Sequence, residues 1–208
     1  MPIPNLTPTT FPPFTALPLT TTPPSLETPQ ENEYYLLAQI TENMTLTKPT
    51  LILSDLTGTS FALVFASRPG SGPDTLDFKK LGYKKGATLV LPNVKRTPPK
   101  EGDQSRGFVS ISREEEGGVR VVPGGLEGVG RVLGLLGGRD LKRGGEGGKG
   151  GCESCGNRTR NEGGGELMKC TGCGEVEYCC KECQVKGWDE GGHKGDCKLI
   201  KAIRAIWP

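Results

Sequence analysis

All eight cysteines of the chain and its single histidine lie between Cys152 and Cys197, and their spacing constrains the fold of that stretch more than any other feature. Cys152-x2-Cys155 and Cys170-x2-Cys173 are knuckles, each able to set two thiolates about 2.3 Å from one tetrahedral zinc ion. Cys179-x3-Cys183 and His193-x3-Cys197 are i,i+4 pairs, so on helical segments both members of a pair project from one face. Four pairs in series make eight ligands, seven Cys and one His, which is the count for two closed structural sites with one cysteine left over. This count leaves open a single-zinc version with one pair unfilled, and Cys180 in place of Cys179. A catalytic Cys-His pair, with Cys179 or Cys180 as nucleophile and His193 as base, would leave the other seven cysteines without a role.

Composition sets the wider frame. At 208 residues and 34% hydrophobic content the chain is poor in material for one large core, which favours two small units. A formal charge of +2 makes no case, on average, for nucleic acid or an anionic membrane. No run of about 18 apolar residues is present to span a bilayer. The first thirty residues carry neither Lys nor Arg and no apolar signal region, so the expectation is an intracellular protein, nuclear or cytoplasmic. There, closely spaced cysteines are metal ligands more often than disulfides.

Along the chain, residues 1–30 are dominated by Pro and Thr, and their composition predicts a disordered, partly polyproline tail. Residues 31–137 read as a small all-β domain. "EYYLLAQITENMT" is a first strand, and "TLILSDLTGTSFALVFA" gives two more, folded about Asp55 and Gly58. A short helix is expected in "DTLDFKKLG", capped by Asp74 or Thr75 and stopped by Gly82. "YKKGATLVLPNVKRT" is a fourth strand, and "GFVSISREEEGGVRVVP" is a fifth run broken at "EEEGG". Five strands with a helix between the third and fourth predict an OB-like barrel. In "LEGVGRVLGLLGG", Leu126, Val129, Val132, Leu133 and Leu136 share one helical face. Residues 138–151 read as a Gly-rich linker and 152–208 as the cysteine-rich domain, ending in a helix with Ile200, Ile203 and Trp207 on one apolar face.

The ligand order Cys-Cys, Cys-Cys, Cys-Cys, His-Cys, with "EYCCKECQVKGW" at the third pair, resembles a MYND-type zinc finger. The Tyr-Cys-x3-Cys-Gln-x3-Trp signature of that family is met by Tyr178, Cys179, Cys183, Gln184 and Trp188. The resemblance implies two structural zinc ions in interleaved sites. Cys152, Cys155, Cys179 and Cys183 would hold the first, Cys170, Cys173, His193 and Cys197 the second, and Cys180 would be the spare thiol. Two spacers are long for the pattern, "GNRTRNEGGGELMK" and the Gly-Gly before His193; both are expected to bulge outward as loops. The resemblance further implies protein recognition, with Gln184 and Trp188 on a face that takes proline-rich segments of the form Pro-x-Leu-x-Pro. "PNLTP", Pro4 to Pro8, matches that form within this chain.

Charge separates the remaining function classes. Residues 152–208 hold nine Lys plus Arg against nine Asp plus Glu, and seven thiolates on two divalent ions add a net of about −3. Such a module is a poor partner for phosphate, so DNA reading by the finger is not expected. The runner-up is single-stranded nucleic acid on the barrel, through Lys84, Lys85, Lys95 and Arg96, with Tyr83, Phe61 and Phe65 as stacking platforms. No enzymatic motif emerges: Gly128-x-Gly130-x3-Gly134 misses the dinucleotide fingerprint by spacing, and there is no SET domain such as accompanies some MYND fingers.

Overall fold

The computed structural model describes residues 3–21, 33–70, 75–102, 106–143, 151–160 and 165–207. The chain divides into two compact units, one of Leu6–Glu127 and one of Met1–Asn5 with Gly128–Pro208.

The first unit is a sheet. β1 (Tyr35–Asn43), β2 (Thr50–Asp55) and β3 (Ser60–Phe65) form an antiparallel meander. Burial alternates strictly along β2 and β3, as it must for strands with one face on a core. The β2–β3 turn is the expected one: Gly58 sits at φ +77°, and Asp55 Oδ1 accepts from the backbone N–H of Thr57 and Thr59, both at 2.9 Å. β6 (Thr88–Pro92) pairs with the other side of β1, and from Thr88 to Leu91 it is buried on both faces. A two-residue parallel pair, β4 (Arg68–Pro69) with β5 (Thr75–Leu76), lies apart from the main sheet.

Three expectations for this unit are corrected. Asp74, one expected cap of the helix over "DTLDFKKLG", lies outside the described residues; Thr75–Leu76 is the short strand β5, and the rest is a turn in which Asp77 Oδ1 accepts from Lys79 N and Lys80 N. Gly82, at φ +73°, does end it. The fifth run is not one bent strand or hairpin. It is β8 (Phe108–Ile111), a one-turn helix α1 (Arg113–Glu116) and β9 (Arg120–Val122). Ser112 and Glu115 close a capping box at the start of α1, which stops the strand and turns the chain. β8 therefore pairs in parallel with β3, and β9 pairs with β6 at the far side. With β7 (Arg96–Thr97) beside β8, the order is β7-β8-β3-β2-β1-β6-β9. No ladder joins the two ends among the described residues, so the barrel is not closed and the OB-like arrangement lacks its closing pair.

The third correction concerns the tail. Residues 3–21 are built into the fold; 22–30 lie outside the described residues. Ile3, Phe11, Phe14 and Leu17 are buried, and Phe14 opens a single 3-10 turn, Phe14–Ala16. Its ring stacks on Phe61 with centroids 4.3 Å apart and planes at 8°, while the Arg96 guanidinium lies 5.6 Å above it. Phe14 N donates to Asp55 Oδ2 at 2.7 Å, so one buried carboxylate holds both the hairpin turn and the N-terminal segment. Pro18 O and Thr20 N bond to Arg96 N and O at 2.8 and 3.0 Å and cover the edge of β7. Composition alone missed this because a few well-placed apolar residues and a buried acceptor outweigh an unpromising average.

The second unit carries α2 (Leu126–Arg143) from Gly128 onward, β10 (Met168–Lys169), β11 (Glu177–Tyr178), α3 (Lys181–Asp189) and α4 (His193–Ile206). The expected face of α2, from Leu126 to Leu136, is buried, although three glycines each weaken the helix by about 1 kcal/mol. α2 continues to Arg143, so the beginning of the expected linker is helical; 144–150 lie outside the described residues. The C-terminal helix forms as expected, and Ile200, Ile203 and Trp207 are buried.

Phe14→Ala should cost the sheet unit about 3–5 kcal/mol, since it empties a fully buried aromatic site. A fall in the urea midpoint at unchanged m-value checks it, and an unaltered midpoint would return residues 3–21 to the status of a loose tail.

Candidate metal centre

Each knuckle is shaped by its backbone. Cys152 O accepts from Gly156 N and Cys170 O from Gly174 N, both at 2.8 Å, and the two glycines stand at φ +77° and +74°. Both turns thus close over a residue in the left-handed region, which glycine enters freely. The first knuckle docks on β11, with Glu153 N donating to Glu177 O at 2.9 Å. Ser154 Oγ ties it to the start of α3 by donating to Cys183 O at 2.6 Å.

The β10–β11 hairpin then distributes the ligands. Met168 pairs with Tyr178 and Lys169 with Glu177, antiparallel. Cys170 leaves the hairpin at its turn end, bonded through its N–H to Val176 O at 2.8 Å, and Cys179 leaves at the open end. Neighbouring pairs are therefore sent to different sites. One quartet is Cys152, Cys155, Cys179 and Cys183; the other is Cys170, Cys173, His193 and Cys197; within each, all ligand atoms lie within 4.8 Å of one another. Of the alternatives left by the spacing, the geometry fits two sites, and it gathers Cys179, not Cys180, into the first quartet.

The distances match a shared ion. Sulfurs bound about 2.3 Å from one tetrahedral centre stand about 3.8 Å apart. Cys155 and Cys183 Sγ are 3.5 and 3.6 Å from Cys179 Sγ, and Cys170 and Cys197 Sγ are 3.9 Å apart. His193 Nε2 lies 3.2 Å from Cys170 Sγ and 3.7 Å from Cys173 Sγ. Room is reserved for the cluster, because a Cβ on Gly172 would stand 2.8 Å from Cys197 Sγ. Cys180 Sγ is 3.8 Å from Cys179 Sγ but belongs to neither quartet.

Electrostatics also call for a cation. Burial pushes the Cys152 thiol up, but hydrogen bonds from the Cys179, Cys155 and Ser154 backbone outweigh it and hold the group at about 6. At Cys170 burial is again overcome, by His193 and the backbone of Cys173 and Gly172, and the thiol is held at about 6. Cys197, by contrast, is pushed up to about 12 by burial and by its contact with Cys170. One thiolate in each quartet comes readily, whereas a full set needs a divalent ion among them.

Helix contacts hold the lower half of the finger. Tyr178 is buried, and a Cβ on Gly187 would stand 2.5 Å from its ring, so only glycine lets α3 close on that ring. Spacing did not single out Gly187, though a glycine inside a helix often signals close packing. The Gly191-Gly192 pair is not an outward bulge as expected. Gly191 N donates to Lys186 O at 3.0 Å, a Cβ at Gly191 would stand 2.8 Å from Gly187 O, and Gly192, at φ +75°, starts α4. The other long spacer falls partly outside the described residues, at 161–164.

Of the remaining sequence candidates, Gln184 is half-buried on α3 and Trp188, one turn on, is 38% exposed. The Trp188 ring meets His193 edge-on, with centroids 5.7 Å apart at 71°. Leu6, central in "PNLTP", is exposed. In the sheet unit Lys84, Lys85 and Lys95 are exposed, but Arg96 is half-buried over Phe14, and the three platform aromatics, Tyr83, Phe61 and Phe65, belong to the core. The structure therefore does not bring these four basic residues together with Tyr83, Phe61 and Phe65 as open stacking platforms.

Native mass spectrometry should find two zinc ions per chain, and His193→Ala should carry one. Thiols held down to about 6 contribute stability that is fully present above the unfolded thiol value of about 8.5 and lost as pH falls through about 6. Zinc occupancy should hold at pH 7 and fall in acid as protons compete with zinc for the thiolates, in the same measurement. Gly187→Ala should lower the thermal midpoint of the loaded finger; unchanged melting would show that Tyr178 yields at no cost.

No curated protein matches the chain. The family model of the MYND finger matches residues 152–197, from the first ligand to the last. With two quartets of the right number, type and spacing, that segment is a MYND-type zinc finger holding two structural zinc sites.

Proposed function

We propose that the protein is a zinc-dependent adaptor, without catalysis of its own, whose finger captures proline-rich segments of other intracellular proteins. MYND fingers in general mediate contacts between proteins. The observation that carries the finer reading is the exposure of Trp188: an indole wedged between two metal sites would be buried, and this one is open while braced by a zinc ligand. Gln184 precedes it by one helical turn and Val185 beside it is exposed, so α3 presents an amide and an apolar, aromatic surface together. A polyproline segment suits such a surface, because it is already extended and has little entropy to lose. Support for a binding role over catalysis comes from the quartets, where four protein ligands per site leave no coordination position for water.

The nucleic-acid reading has less support. Its stacking residues are in the core, and the loaded finger carries excess negative charge.

Titration of the zinc-loaded protein with a Pro-x-Leu-x-Pro peptide should give saturable amide and indole shifts at Gln184 and Trp188, and Trp188→Ala should weaken binding at least tenfold, on the order of 1–2 kcal/mol. Silence at both residues would exclude this ligand class for the finger. A steeply salt-dependent oligonucleotide affinity, lost on neutralising Lys84, Lys85, Lys95 and Arg96, would favour the sheet unit instead.

A further inference from the structure

Arg131 lies in α2, well before the span that the finger family accounts for. Its Nη1 and Nη2 donate to the two carboxylate oxygens of Asp196, each at 2.5 Å. Two parallel bonds between planar groups make the most directional ion pair available to side chains. Asp196 immediately precedes the ligand Cys197 in the first turn of α4. The Asp196 side chain is 11% exposed against 55% for Arg131, so the guanidinium reaches in from the surface to a largely buried carboxylate. Close packing surrounds the pair. A Cβ on Gly128 would stand 3.2 Å from Leu199 Cδ1, and Val132 and Leu136 share a small crevice with Ile200, Gly191 and His193.

We propose that α2 is an integral helix of the finger and that Arg131 is a positioning residue for the second zinc site. Each residue of a helix advances the side-chain direction by about 100°, so a rotation fixed at Asp196 is also fixed at Cys197. His193, three residues before Asp196, follows the same rotation. The pair therefore sets where Cys197 Sγ and His193 Nε2 meet the thiols of Cys170 and Cys173. At the other end of α4, Arg204 bonds Glu175 at 3.0 Å and holds the helix to the loop after Cys173. The first quartet draws no ligand from α4, so its geometry is independent of Arg131.

Full-length protein loaded with cadmium-113 tests this, because a four-sulfur site and a three-sulfur, one-nitrogen site give separate resonances. In Arg131→Met the resonance of the nitrogen-containing site should shift or broaden, and its metal should pass to a chelator about tenfold faster. The four-sulfur resonance and its release rate should stay as in the unaltered protein. Asp196→Asn should reproduce the effect, and the double variant should be no worse than either single one. Arg131→Lys, which keeps the charge and loses the fork, should fall between; if Arg131→Met does not fold, this variant carries the comparison. Unchanged release at both sites, or equal acceleration at both, would overturn the proposal.

Discussion

Tetrahedral coordination by non-consecutive pairs is the constraint on which the finger depends. A knuckle offers a zinc ion only two ligands, and the next pair along the chain goes to the other ion. Each site is thus completed by chain that has already passed the other site, although the two quartets share no ligand. The crossing is produced by the short β10–β11 hairpin, whose two ends release Cys170 and Cys179 in opposite directions. A segment so polar and so rich in glycine has little else to fold around, which makes metal affinity and folding energy here largely one quantity.

The metal sites also determine the surface that recognition can use. His193 serves the second ion and, with its ring edge, braces Trp188; Gly187 lets α3 lie down on Tyr178 and so fixes where that indole emerges. On the peptide-binding reading proposed above, a tryptophan held by a metal ligand has already met an ordering cost that a flexible one would still carry. The sheet unit depends on a comparable economy of groups. A single buried carboxylate, Asp55, organises the β2–β3 turn and receives the N-terminal segment that places Phe14 on Phe61.

Much of the finger was legible in one dimension, because ligand type and spacing are covalent facts that a metal reads directly. The positions of β1, β2, β3 and β6 were legible from their apolar runs, and in β2 and β3 burial on one face imposes a period of two residues. The tail was misread because its burial rests on four apolar side chains set among prolines and threonines, a pattern without a period. "DTLDFKKLG" carried helix-like caps but too few residues to repay nucleation, so Asp77 organised a turn instead. The broken fifth run had the composition of strand on both sides of "EEEGG", yet the Ser112 capping box sent its halves to different strands.

By itself, the sequence determined the ligands available to zinc and the hairpin and helix faces whose periodicity follows from burial. These depend on contacts within a few residues or on the coordination number of an ion. Only the tertiary structure decided which pairs share an ion, that Cys180 stays outside both sites, that the sheet remains open, and that Trp188 faces solvent. Only there, too, does Arg131 meet Asp196 across 65 positions of chain. Such outcomes rest on long-range packing and on single hydrogen-bonded groups, and no local spacing records them.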